Sequence, residues 1–229
     1  MKKHILTLIF LFMSFLFNNV TTSNAKNDMG NVEEKYITEM ENKIAEIQKE
    51  MYMRNLIQYI EFESEIIIPN YLDIKYVEYI FNVANQLNIP TRIAFRMVYT
   101  ESRFNDIAIS PKGARGLMQL MPDTRTIYIE LLGIDTMKID ENQKDILIGF
   151  NYLKDLKTYW FEKGNNEKYS WKLGLASYNA GKRRVQQYQG VPPFNETQKF
   201  VNFILRIHSN PEFFANYNKK YENKIKVNT

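Results

Sequence analysis

No cysteine occurs anywhere in the chain, and only two histidines do, His4 and His208. Glycine and proline are scarce, 9 and 7 of 229 residues. Each shortage removes a class of answers. Without cysteine there are no disulfides, no thiolate nucleophile and no cysteine-rich zinc cluster. With so few histidines, most Ser-His-Asp schemes fall away as well. His208 sits in the helical run 199–208 and reads as a structural residue. No glycine-rich phosphate loop follows a strand, so nucleotide binding lacks support. Metal ligation and a bound cofactor are not called for. Chemistry on this chain must use carboxylates, amides and hydroxyls.

What is present is apolar and helical in spacing. The composition is 45% hydrophobic and 14% aromatic, enough to bury a core. Three-and-four spacing dominates, so the fold class expected is all-α. Residues 1–25 are read apart from the fold. Lys2 and Lys3 lead an apolar run, Ile5–Phe17, too short to span a bilayer comfortably. Ser23-Asn24-Ala25 supplies small residues before a cut at Lys26, the pattern of a cleavable export signal. No cysteine follows the run, which excludes a lipoprotein anchor, and no membrane span is expected once the signal is removed. The competing reading is an uncleaved anchor.

Charge divides the remainder. Residues 26–70 carry 5 Lys/Arg against 10 Asp/Glu, and residues 71–229 carry 23 against 16. The basic main part suits an anionic polymer outside the cytoplasm, although solubility alone also explains it. Within 26–65, Ile37, Met40, Ile44, Ile47 and Met51 step by three and four as an a/d-like seam, which Arg54 ends. A short coiled coil, a helix lying on the main part and a partly disordered spacer are the alternatives. From Tyr71 helices follow closely. Asp73 is an expected N-cap for the stripe Ile74–Leu87. Further helices are expected from Thr91 to Glu101, from Pro122 to Leu132, over 142–162, 168–180 and 196–208, and after Pro211.

Three places carry polar groups where apolar ones would serve. Glu101 lies four residues after Met97 and three after Val98, so it continues the buried stripe Ile93, Ala94, Met97, Val98. Arg92, Arg96 and Arg103 are expected on the opposite side. Glu101 also closes its helix, where the dipole disfavours negative charge. Desolvation and dipole both raise its pKa, and a carboxylic acid held protonated near neutrality can donate a proton to a leaving group. The structural alternative is a buried glutamate paired with an arginine. Ser110, in the turn-rich run after this helix, either hydrogen-bonds the carboxyl or a ligand amide, or caps a turn. Gln119 stands among Leu117, Met118, Leu120 and Met121, and its amide must pair with backbone or face a polar ligand. Met118 either lines a groove or packs the core. In Leu173-Gly174-Leu175-Ala176-Ser177-Tyr178-Asn179-Ala180-Gly181, small residues admit a second backbone, while Tyr178 and Asn179 offer a ring and an amide. An acetamido sugar needs such parts. A tightly packed helix pair with a capping Asn explains them equally.

Together these stretches resemble the soluble-type lytic transglycosylases, the SLT family related to goose-type lysozymes. Glu101-Ser102-Arg103-Phe104, Ala108 through Thr124, Ala176 through Gly181, and Pro192-Pro193-Phe194-Asn195-Glu196-Thr197 match its motifs in order over about residues 75–208. The resemblance implies a lysozyme-like α fold that cleaves the MurNAc–GlcNAc bond of peptidoglycan glycan strands, with no cofactor and no nucleic-acid partner. It implies Glu101 as the single catalytic acid and base, giving 1,6-anhydro ends. It implies Ser110, Met118, Gln119, Tyr178, Asn179 and Glu196 as sugar-site residues. With the export signal it places the protein in the periplasm or envelope of a bacterium. The acidic segment 26–70, outside the resemblance, either docks an envelope protein or restrains the enzyme. Phe200 stands where the family usually has Tyr, Lys182-Arg183 replace a common Pro-Gly, and Asp106-Ile107 replace Asn-Pro-type residues. Two other readings stand beside this one. A muramidase-type hydrolase would need a second acid, for which Asp106, Asp123 and Asp140 are candidates. A catalytically silent murein-binding module would not need Glu101.

Overall fold

A computed structural model of the chain describes residues 23–135, 137–206 and 211–225. The expected export signal falls almost wholly outside the described residues, and so does His208. Nine α-helices run in order among them: α1 Ser23–Ser64, α2 Ile74–Gln86, α3 Thr91–Ser102, α4 Pro122–Leu131, α5 Glu141–Glu162, α6 Glu167–Ala180, α7 Lys182–Gln187, α8 Asn195–Leu205 and α9 Pro211–Ile225. No strand forms among the described residues. Only isolated antiparallel bridges join Ile109 to Arg115 and Arg115 to Leu120. The fold is all-α, as the spacing predicts.

Two compact units are distinguished, Met1–Tyr52 and Met53–Thr229. In the first, the described residues are helical. The seam positions Ile37, Met40, Ile47 and Met51 are exposed there and Ile44 is half-buried.

The second unit holds the core. Its helices begin where the sequence offers caps. Asp73 accepts from the Lys75 amide ahead of α2. Asp140 and Gln143 form a reciprocal capping box at α5. Asn166 accepts from the Tyr169 amide at α6. Pro122 opens α4 at its first turn, where the missing amide hydrogen costs nothing. The pair α5 and α6 packs closely because of Gly174, at which a Cβ would come within 3.0 Å of the Lys157 Cα. This is the close approach that the small residues of that stretch predict. Met53, Leu56 and Ile60, from the last turns of α1, belong to the same core.

α3 departs from expectation. Its residues from Ile93 to Val98 are all buried, Arg96 included at 0% exposure. Arg96 does not face solvent because helix ends converge on it. Its guanidinium donates to the carbonyls of Ser64 at the end of α1 and of Phe203, Ile204 and Arg206 at the end of α8. Glu65 pairs with it at 3.5 Å. Terminal carbonyls have no partner within their own helices, and the dipole makes them a site for a cation. A second buried charge, Glu61, is held by Lys220 and Tyr221 from α9 and by the Ile68 amide. These contacts fasten the C-terminal helix to the end of α1.

Candidate active site

The site is assembled at the C-terminal end of α3. Arg103 caps that helix in the left-handed region, φ 56°, and Phe104 follows at φ 63°. Two successive residues at positive φ turn the chain sharply, and burial of the Phe104 ring holds the turn in place. The loop then folds on itself. Gly116 donates to Ala108 at 3.0 Å, and Arg115 and Leu120 exchange backbone hydrogen bonds at 3.1 Å. Gly116 has φ +73°, and a Cβ there would overlap Oδ2 of Asp145. Asp145, buried on α5, is itself ion-paired with Arg125 of α4. The loop therefore rests on a carboxylate that only glycine can approach so closely.

Glu101 lies in this setting as a half-buried residue with an opening to solvent. Burial pushes its carboxyl up to about 8, and the negative charge of Glu196 adds to the rise. Among the described residues, none donates a hydrogen bond to that carboxyl. No arginine pairs with it, so the structural alternative of a buried ion pair is not what is seen.

Tyr178 comes from α6. Its hydroxyl donates to the Met118 carbonyl at 2.8 Å, tying α6 to the loop. Burial lifts its phenol well above the ordinary value, and the Glu101 charge contributes. Behind it, Tyr152 and Tyr128 form a ladder, with ring centroids 5.2 Å and 5.5 Å apart along the series. Asn179 accepts the Thr197 hydroxyl on its side-chain oxygen at 2.7 Å. Its NH2 group is left as a donor. Gln119 has the opposite arrangement. Its NH2 donates to the carbonyls of Ala108 and Gly116 at 3.1 and 3.0 Å, which leaves its side-chain oxygen as an acceptor. The amide thus pairs with backbone and keeps one polar atom unclaimed.

Other expected site residues take different places. Met118 is fully buried, its side chain over Gly149, where an added Cβ would meet its Cε at 2.6 Å. What it offers the site is its carbonyl. Ser110 accepts from the Ala114 amide at 3.0 Å and so closes its own turn. Glu196 is exposed at the start of α8. Asp140 caps α5 and is bonded by Tyr76, while Asp106 accepts from Asn142. Thr197, Tyr152 and Asp145 were not singled out by sequence reasoning. Thr197 follows Glu196 inside a recognised motif, which is the signal that could have found it. Among the described residues no cluster of side chains could hold a metal ion.

Residues 78–201 match the family model described as the Transglycosylase SLT domain. The chain belongs to that family. The "Soluble lytic murein transglycosylase" of Escherichia coli strain K12 is 31% identical over 144 residues, 55% of this chain and 21% of that protein. The "Putative soluble lytic murein transglycosylase" of Haemophilus influenzae is 31% identical over 166 residues, 61% of this chain and 27% of that one. The chain therefore aligns with no more than 27% of the length of these two relatives. Among solved structures, an inactive mutant of the lytic transglycosylase Slt from Pseudomonas aeruginosa is 26% identical with a TM-score of 0.48, covering 67% of this chain and 26% of that one. The 70 kDa soluble lytic transglycosylase of Escherichia coli is also 26% identical with a TM-score of 0.48, covering 66% and 25%. In this SLT domain, Glu101, Met118, Gln119, Tyr178, Asn179 and Glu196 all lie inside the matched span. No described helix is long and apolar enough to cross a membrane.

Proposed function

We propose that this SLT domain is a lytic murein transglycosylase that cleaves the MurNAc–GlcNAc β-1,4 bond without water. Glu101 is its single acid and base. The observation that carries the reading is the setting of Glu101, a carboxyl pushed up to about 8 by burial and, among the described residues, given no hydrogen-bond donor. Such a group is protonated at neutral pH and has a proton to give. In the first step the Glu101 proton passes to the glycosidic oxygen, the C1–O bond breaks, and the GlcNAc hydroxyl departs. The 2-acetamido oxygen of the muramyl sugar covers C1 meanwhile. In the second step the Glu101 carboxylate takes the proton of the muramyl C6 hydroxyl, and O6 bonds to C1. The acid is regenerated, and the product is a 1,6-anhydro end.

The surrounding groups fit these demands. The free Asn179 NH2 suits the carbonyl of an acetamido group, and the Gln119 oxygen suits an N–H or hydroxyl of the glycan. Tyr178 supplies a ring held by the Met118 carbonyl. The substrate is a bacterial wall polymer, which places the enzyme in the envelope or periplasm.

Muropeptide analysis by mass spectrometry tests the reading. The wild type is expected to give anhydro ends, one water lighter than hydrolytic ends, and Glu101→Gln is expected to give none. Products carrying only reducing ends overturn it. One observation favours a second reading. Glu196 is the carboxylate whose charge reaches Glu101, so it is the better candidate for a second acid than Asp106, Asp123 or Asp140. Two-carboxylate hydrolysis would incorporate isotope from labelled water at the new end, and Glu196→Gln would abolish it.

A further inference from the structure

The seam on α1 has no counterpart in the catalytic reading. Ile37, Met40, Ile47 and Met51 are 41%, 46%, 52% and 53% exposed, and Ile44 between them is half-buried. Five apolar side chains on one stripe of a helix are left without apolar cover. In heptad terms Ile37, Ile44 and Met51 are a positions, and Met40 and Ile47 are d positions. Burying such a stripe against a matching one is the usual way a helix of this pattern is stabilised.

Charges beside the seam select the occupant. Lys43 and Glu50 are exposed g positions, and Glu41 and Gln48 are exposed e positions. In a parallel pair, g faces the e position five residues on in the other helix. Lys43 would then meet Gln48 and Glu50 would meet Asn55, so no opposite charges meet. Arg54, the next seam position, would face its own copy across the axis. In an antiparallel pair, g faces g. Lys43 of each helix meets Glu50 of the other, giving two complementary ion pairs by symmetry. Arg54 then lies across from Ile37, beside Glu34. Met40 faces Met51, and Ile44 faces Ile47. Residues 34–54 hold four Lys/Arg and five Asp/Glu, so two copies do not repel strongly despite the acidic balance of the wider segment.

We propose that the seam Ile37–Met51 is the docking surface for a second copy of this chain, paired antiparallel through α1 with Lys43 and Glu50 fixing the direction. The pairing does not depend on the catalytic reading. It gives two SLT domains per particle, and a bivalent enzyme dwells longer on a polymeric substrate than one domain alone.

The full chain is tested by sedimentation velocity across micromolar concentrations and by crosslinking. A reversible dimer is expected. Ile44→Asp with Ile47→Asp should weaken it by at least about 100-fold, since each carboxylate would have to be buried in the seam. Those positions lie outside the core, so circular dichroism should show the helical fold retained. Lys43→Glu alone should weaken the dimer, and Lys43→Glu with Glu50→Lys should restore it. Absence of native cysteine permits a direct reading of direction. Oxidation should crosslink a mixture of Met40→Cys and Met51→Cys chains, and neither chain by itself. A monomer at every concentration overturns the proposal, whether or not some other protein covers the seam. Self-crosslinking of either single variant, or failure of the charge swap to restore pairing, also overturns it.

Discussion

The Thr197 hydroxyl donates to the side-chain oxygen of Asn179 at 2.7 Å, and so decides which end of that amide is free. Thr197 is buried, while Asn179 is half-buried. Thr197→Val keeps the shape and removes the proton. The amide is then free to rotate, and its donor is no longer aimed. The expected loss is about tenfold in kcat/KM, near 1.4 kcal/mol, with most of the change in KM. Thr197→Ser should recover most of it. Steady-state kinetics on soluble glycan fragments separates this from a folding defect, which would lower the active fraction and leave KM unchanged.

Glu101→Gln should lower turnover by about 10²–10⁴-fold, the usual contribution of a positioned acid. The same change should stabilise the protein in a pH-dependent way. The folded carboxyl titrates near 8 and the unfolded one near 4.5. Between these values the folded chain binds more protons, so wild-type stability falls as pH rises. The glutamine variant has no such slope. The two should melt together near pH 4, and at pH 8 the variant should be ahead by on the order of 2–3 kcal/mol, allowing for part exposure. Denaturant unfolding at several pH values checks this.

Glu196 contributes to the raised Glu101 value as the smaller cause, after burial. Glu196→Gln removes a negative charge, which lets Glu101 ionise more easily. The alkaline limb of kcat/KM, expected to fall through about pH 8 in the wild type, should move to lower pH by a fraction of a unit. A limb that stays in place would show that the Glu196 charge is screened in solution.

Gly116→Ala and Gly113→Ala form a matched pair. Both positions have positive φ, +73° and +85°, but an added methyl at 113 meets nothing within 4 Å. At 116 it overlaps the Asp145 carboxyl. Gly113→Ala should cost about 1 kcal/mol of backbone strain. Gly116→Ala should cost at least about 3 kcal/mol, because the loop or the Asp145–Arg125 pair must also move. Urea midpoints report both, and the second variant should also lose activity as the Gln119 support shifts.

Arg96→Met should cost about 3–5 kcal/mol, since it leaves terminal carbonyls of two helices without a buried donor. Arg96→Lys should recover only part, because an ammonium cannot reproduce the fork that reaches four carbonyls.

Much of this was legible in advance, and the exceptions have a common cause. Caps and breakers act within a few residues, so Asp73 and Pro122 mark their helices directly, while Asp140, read as a candidate acid, proves to be the cap of α5. Glu101 could be placed because its stripe is local. Gln119 could be reduced to two alternatives, and the structure shows it meeting a backbone demand with one end of the amide and leaving the other free. Spacing puts Arg96 on the wrong side because its hydrogen-bond acceptors lie 32 to 110 positions away, and helical spacing carries no information about them. Thr197 and Asp145 matter through contacts of the same distant kind. Met118 reads as a groove residue by motif, yet its side chain fills the space that Gly149 vacates.

The convergence on Arg96 has a consequence for how the molecule is made. A guanidinium can leave water only when its carbonyl partners are present, and three of them lie at positions 203, 204 and 206. A chain still being synthesised has position 96 in hand long before those arrive. Burial of Arg96 must wait for residues 203–206, although helical folds are otherwise dominated by local contacts. A chain that stops short of Phe203 leaves the buried guanidinium of Arg96 without three of its four carbonyl partners, so α3 cannot complete its packing until α8 is present.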